Sequence, residues 1–333
     1  MKEAFPALVV DGATPYTSDT AHQAGFAYLP YLLTGDFYYL EELQFWAMYN
    51  ALIDNPGYRK YEKGLFQNDQ LRGQGWSMRT LGEAAYITPD NDKFKAQFLG
   101  FLNANLDWYN ATYTNGTNNN LGMITNGYGI TYQNNTAGAP WQDDHFTSAI
   151  GHVAELGFAK AGPLLAWKAK FQIGRMMDPA FCWIDAALYN VKIRDGLYAP
   201  FYATLGQVYS ATVDARISAQ KCNTPEQLAF RTSAIVGSEF ASTVLGDMVG
   251  NSNSTVGYAS NFQPAHALTV DSGAPGGAAA WKKFIGRAVK TDYRNGPQFA
   301  ILPRAAGSKA ACGARRHPDR RCANGCRHLE ESR

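Results

Sequence analysis

The chain has 333 residues, 46% of them hydrophobic, which is ample for a sizeable core and excludes disorder as the general reading. No run approaches the roughly 18–20 uninterrupted apolar residues that a helical membrane span needs, so no membrane partner is expected. The net charge of +2 hides an asymmetry: residues 305–333 carry seven Lys/Arg against three acids, leaving 1–304 with 23 basic and 25 acidic residues. A nucleic-acid partner therefore loses its electrostatic support.

The last 29 residues hold none of the 44 Phe, Trp and Tyr residues but three of the five cysteines, Cys312, Cys322 and Cys326, near His328. Four well-spaced zinc ligands are not evident there. Residues 1–304 are read as one domain and 305–333 as a basic, disordered or non-native tail. Cys182 and Cys222 stand singly in apolar and turn contexts and read as free thiols. The start, Met1-Lys2-Glu3-Ala4-Phe5-Pro6, is no usable signal peptide.

In chain order, Thr20-Ala-His-Gln23 reads as a capping box, followed by an apolar stripe of Phe26, Leu29 and Leu33 that stops at Gly35. Asp36 caps a second helix, Phe37 to about Ile53. A second pair spans about Arg72–Ile87 and Lys93–Tyr113, joined by Thr88-Pro89-Asp90. Both pairs turn at Thr-x-Asp and lead into an aromatic helix, a repeat of 54 residues from Asp36 to Asp90. Further helices are expected from Gln142 to Gly157, from Pro163 to about Gly174, from Ala180 to Ile193 behind Asp178-Pro179, and after the capping box Thr224-Pro-Glu-Gln227. One short helix at 278–288 and a docked extended end, Pro297–Arg304, complete the domain. Residues 114–140, with Asn115, Asn118, Asn119, Asn120, Asn126, Asn134 and Asn135, form a long Asn-rich loop whose Tyr128 and Tyr132 favour an ordered rim. The expected fold is all-α, an α/α-hairpin toroid as a complete or partial ring.

The first helix of each pair is the inner candidate, and the inner helix starts define a rim. They carry Asp19 and His22, then Arg72, Gln74 and Trp76, then Trp141, Gln142, Asp143, Asp144 and His145, then Phe181, Trp183 and Asp185. Aromatic faces stacked on sugar C–H surfaces beside carboxylates make glycan sites. Adjacent helical residues project about 100° apart, so one of Asp143 and Asp144 is expected to cap the helix and the other to face the cleft. His22 is expected either on this rim or packed with Phe26 and Leu33. Arg79–Glu83 is expected as a buried i,i+4 pair. His145 and His152 share a helical face without a third ligand, so no metal is assigned, and no nucleotide or serine-hydrolase motif occurs.

The hairpin repeat and Trp141-Gln-Asp-Asp-His-Phe146 resemble the six-hairpin (α/α-toroid) carbohydrate enzymes, a superfamily that includes glycoside hydrolases, polysaccharide lyases and sugar epimerases. The resemblance covers about residues 15–304 and also extends to exported bacterial helical domains, which implies a secreted or periplasmic setting. It implies a carbohydrate substrate and no cofactor. As a glycoside hydrolase, the chain would use Asp143 or Asp144 with a second acid, Asp19 or Asp185. As a lyase, it would use Tyr128, Tyr132 or His145 as base and Arg72 to quiet a uronate. As a scaffold or glycan-binding domain, it would keep the Trp rim alone. Catalysis is thus expected at Asp143, Asp144, Asp19 and His145. Substrate binding is expected at His22, Arg72, Gln74, Trp76, Tyr128, Trp141, Trp183 and Asp185.

Overall fold

The structure, a computed structural model, describes residues 19–304 apart from residues 24, 116–118 and 234. The expected tail, with Cys312, Cys322, Cys326 and His328, lies outside the described residues, as does Asn118 of the Asn-rich loop.

The chain is mostly helical, and only two short strands pair into a sheet among the described residues. The helices are α1 (Tyr28–Thr34), α2 (Phe37–Leu52), α3 (Leu71–Ile87), α4 (Lys95–Tyr109), α5 (Pro140–Glu155), α6 (Ala161–Met177), α7 (Leu205–Thr212), α8 (Ala215–Ser218), α9 (Pro225–Arg231), α10 (Tyr258–Asp271) and α11 (Gly277–Ile285). None is long and apolar enough to cross a membrane.

Three helices form the central layer, and their glycines fix how they lie. A Cβ on Gly75 would meet His145 Cδ2 at 2.8 Å, and one on Gly82 would meet Val153 Cγ2 at 2.7 Å, so α3 and α5 run parallel. Gly151 meets Leu268 equally closely, while Trp141 stacks on Tyr258, so α5 and α10 also run parallel. Each of the three is followed by a helix returning antiparallel. For α5 and α6 the return is marked by the pairs Asp144–Arg175 and Thr147–Gln172, and for α10 and α11 by Phe262–Phe284 and His266–Trp281. The first apolar cluster joins α2–α6, from Leu43 through Met78, Phe98 and Phe146 to Leu164. A second lies under residues 181–249, and a third, with Met176, Phe262 and Phe284, sits between α6, α10 and α11.

The helix signals hold best where caps carry them. Asp36 Oδ1 accepts from the Tyr38 amide at 3.0 Å, and Gly35 takes the left-handed φ of 68° before it. The 54-residue repeat is not structurally equivalent, because Asp92, not Asp90, accepts from an amide (Phe94) at the start of the α4 turn. Thr20 is not a cap either. Asp19 takes that role for a single 3-10 turn, Thr20–His22, and α1 starts only at Tyr28. The expected stripe of Phe26, Leu29 and Leu33 points outward, all three being exposed, and His22 is exposed with it rather than packed.

The helix expected over 180–193 does not form. Asp178 Oδ1 accepts from the Ala180 amide, Trp183–Asp185 makes one 3-10 turn, and Val191–Lys192 (β2) pairs antiparallel with Ala137–Gly138 (β1). Tertiary partners outweigh local propensity here. Cys182 is crosslinked to Cys222, correcting the free-thiol reading, and Asp185 is fixed by Arg231 and Tyr209. Sequence patterning misses α10, because it is buried on almost every face and contains Pro264.

The Asn-rich loop is pinned from both sides. Tyr113 Oη accepts from the amides of Thr125 and Asn126, and Asp143 Oδ1 accepts from the Ile124 amide at 3.0 Å. The segment 297–304 is docked as expected: Arg304 N–H donates to Asp271 and its guanidinium pairs with Glu155, although Pro297–Phe299 is a 3-10 turn rather than extended.

Candidate functional site at the starts of the parallel helices

Because α3, α5 and α10 run parallel, their first turns meet at one end of the layer. Arg72 is the second residue of α3, Trp141 the second of α5 and Tyr258 the first of α10. The Trp141 ring lies 6.2 Å from both Tyr189 and Tyr258 at interplanar angles of 24° and 27°, and those two tyrosines stand 5.5 Å apart at 50°. The three centroids, 5.5–6.2 Å apart, form a triangle of partly stacked rings, the tiles of one aromatic cluster, with Trp141 facing both tyrosines at the smaller angles. Tyr132 extends it, edge-on to Tyr189 at 5.3 Å, with its hydroxyl accepting from Gln142 at 3.0 Å. Burial, then the neighbouring Tyr189 hydroxyl, push the Tyr132 phenol up to about 12, against the pull of Arg72.

The cationic part of the site sits over the central ring. The Arg72 guanidinium carbon lies 5.5 Å from the Trp141 ring centre, and Nη2 reaches His22 Nε2 at 2.8 Å. Guanidinium N–H can only donate, so His22 Nε2 accepts and Nδ1 carries the ring proton, which it donates to Asp19 at 2.8 Å. Asp19, His22 and Arg72 thus form one chain of hydrogen bonds. One turn further along, His145 lies against Trp76 at 4.3 Å. Its packing, followed by the charges of Arg79 and Arg72, pushes the imidazole down to about 3 and keeps it neutral.

Farther along α3, Glu83 Oε1 receives both Arg79 Nε at 3.0 Å and His152 Nε2 at 3.1 Å. The buried Arg79–Glu83 pair was foreseen, though Arg79 is substantially exposed; the His152 contact was not.

The other expected site residues are placed elsewhere. Neither Asp143 nor Asp144 caps α5, whose N-cap is Ala139 with Pro140 at the first position, and neither faces a cleft. Both are fully buried. Asp143 pairs with Lys168, and Asp144 takes a two-pronged contact from Arg175, which also donates to Ala186 O at 2.6 Å. Burial raises the Asp144 carboxyl while Arg175 pulls it back. Asp185 is buried too, held by Arg231 at 2.6 and 2.7 Å and by the Tyr209 hydroxyl at 2.9 Å. Gln74 is an internal strut: its Nε2 donates to Asp69 O at 2.7 Å and its Oε1 accepts from Tyr109 at 2.5 Å. Trp183 wedges between the second and third apolar clusters. Tyr128 is exposed on the loop, its amide donating to Asp69 O.

Two of the three tiles, Tyr189 and Tyr258, were not anticipated. Tyr189 sits inside the helix that does not form, and Tyr258 opens the helix that patterning misses. A shallow depression beside the Cys182–Cys222 crosslink, lined by Ile184, Asn223, Gln227 and Arg231, shares no residue with the rim. No known family matches the chain, and no curated protein and no solved structure matches it.

Proposed function

We propose that this is a carbohydrate-active helical domain that holds a glycan across the Trp141–Tyr189–Tyr258 surface. We also read its antiparallel helix pairs, with α3, α5 and α10 innermost, as an arc of an α/α-hairpin toroid. The observation that carries the functional reading is the three-ring tiling at the common start of three parallel helices. Flat aromatic faces gain most from C–H-rich ligands, and pyranose rings offer such faces. Tyr132, backed by the buried Gln142, and His22 line the edge with groups suited to sugar hydroxyls.

The reaction that the site could perform follows from what remains free. Hydrolysis through Asp143, Asp144 or Asp185 would require a carboxylate to leave a sealed ion pair, and breaking such a pair costs about 3–5 kcal/mol. The groups beside the rings are instead a neutral imidazole, a phenol and a guanidinium. That set suits hydrogen bonding to a glycan better than paired-carboxylate hydrolysis, since Tyr132 keeps its proton and His22 Nε2 already accepts from Arg72. The Cys182–Cys222 crosslink supports an oxidising, exported setting for the domain.

Isothermal titration of Trp141→Ala against a panel of neutral and acidic hexasaccharides tests the binding reading. The unmutated chain is expected to bind at least one member, and the variant about tenfold or more weakly, the scale of one lost aromatic contact. Equal binding by both proteins removes Trp141 from the site.

A further inference from the structure

The α3–α5–α10 layer ends differently at its two edges. Beyond α10, residues 293–304 lie across the helix. Tyr293 Oη donates to Gln263 Oε1 at 3.0 Å, Gln263 Nε2 donates to Ile301 O at 3.1 Å, and the Arg304 amide reaches Asp271. Beyond α3, the chain runs alongside through Gly25, where a Cβ would meet Thr80 Oγ1 at 3.2 Å, and then into α1 and α2. Tyr28 turns inward from α1, edge-on to His152 at 6.2 Å. No residue of α1 is buried, although six of its seven, Tyr28-Leu-Pro-Tyr-Leu-Leu33, are apolar or aromatic.

The outward side of this helix pair is apolar. Leu29, Leu32 and Leu33 share one face of α1 at 61, 49 and 77% exposure, and Phe26 just ahead of it is 82% exposed. Across the turn at Gly35 and Asp36, Phe37 and Tyr38 are 60 and 59% exposed. With a free side chain of this size presenting about 150–200 Å², the six leave on the order of 600–700 Å² uncovered. That exceeds the largest apolar patch of an ordinary monomer, about 300–600 Å², and approaches the roughly 800 Å² that each partner brings to a stable interface. A helix pair at the free end of a stack normally turns a polar side to water, and this one does not.

We propose that two copies of this chain pair through their α1–α2 faces, with Leu33 and Phe37 near the centre of the contact. The area suits a partner of equal size, and the α10 edge decides the symmetry. Because residues 293–304 already cover that edge, copies cannot add edge to opposite edge into a filament. The α1–α2 face is left to meet its own equivalent about a twofold axis, which closes the assembly at two chains. Asp36 and Glu41, both exposed at the start of α2, then approach their own copies. Apolar burial drives the pairing and like charge opposes it, so added salt should tighten it. The contact stands clear of the ring cluster. Tyr28 meets His152 about 16 Å along α5 from Trp141, so each chain keeps its own cluster, whether or not that cluster holds a glycan.

Sedimentation velocity on the full chain, from low to high micromolar concentration, tests this. Free thiols are alkylated first, so that cysteines outside the Cys182–Cys222 crosslink cannot join chains. Monomer should convert to dimer as concentration rises, and more completely at high salt. The Leu33→Glu/Phe37→Glu double variant, altered only at exposed positions, should associate about a hundredfold or more weakly, the scale of two lost contact centres. Hydrogen exchange on the unmutated chain reads the same face without a variant: amides of residues 28–38 should gain protection as the dimer forms.

A chain that stays monomeric throughout overturns the proposal. So does a dimer that survives the double substitution with no added protection over 28–38, or one that weakens as salt rises. Sedimentation of the monomer with neutral phosphatidylcholine vesicles, abolished by Leu33→Glu, would give the face to a lipid surface and equally overturn it.

Discussion

His145 shows how one residue can be read two ways until its surroundings are known. Its spacing from Trp141 placed it on the rim, but its chemistry is set by packing against Trp76 and by two nearby guanidiniums. Those hold its folded pKa near 3, below the ordinary value of about 6.5. The stability consequence follows in sign. Below about pH 6.5 the unfolded chain takes up a proton at this position and the folded chain does not, so stability present at neutral pH is lost as pH falls. His266, pushed down to about 4 by burial between Phe262 and Trp281, acts in the same direction. Urea unfolding at stepped pH values between 7.5 and 4.5 should show His145→Gln losing stability less steeply than the unmutated chain, by about one proton. An unchanged slope would mean that His145 titrates freely.

At the same scale, Asp143 and Asp144 mark the limit of sequence reading. An acidic pair in the first turn of a helix looks alike whether it caps, faces a cleft or is buried. What distinguishes the cases is Lys168 and Arg175 on the next helix, 25 and 31 residues away, and a sequence pattern does not say which of the helix's faces those cations occupy.

At the scale of elements, legibility followed punctuation. The α2 and α3 spans were readable because Gly35 and Asp36 mark the start of one and Thr88-Pro89-Asp90 the end of the other. Helix α10 was not, since Gly257 gives it no side-chain cap and Pro264 lies inside it, and with it went Tyr258. The loop over 119–137 owes its order to α5 and α6. Lys168 donates to Gly122 O at 2.8 Å and neutralises Asp143, which in turn receives the Ile124 amide. Lys168→Met should therefore lower unfolding free energy by about 3–5 kcal/mol, because it strands a buried carboxylate. It should also speed proteolysis within 119–137 under native conditions. A stable variant with an unaltered cleavage pattern would show that the loop holds without this clamp.

For the whole molecule, residues 178–257 are the region that helix propensity describes least, and a crosslink bridges much of it. The Cys182–Cys222 bond spans 40 residues, for which the chain-entropy relation gives about 4 kcal/mol of stabilisation. Reduction should lower the thermal midpoint of the full chain, and a Cys182→Ala/Cys222→Ala variant should match the reduced protein. If reductant leaves the midpoint unchanged, the hydrophobic cluster around Phe181, Val208 and Ile217 is holding the segment unaided.

The glycines between the central helices reach beyond packing. Gly75, Gly82 and Gly151 let side chains of the facing helix rest against the backbones of α3 and α5, so helix spacing is set deep inside while the aromatic tiles and Arg72 ride on the ends. The placing of those rings and of Arg72 is therefore ruled by three residues away from them. A single methyl group added at any of them would work as a wedge, splaying the tiles apart without altering a surface atom. Side chains at the rim can then vary, while those three hidden positions keep the gauge of the track.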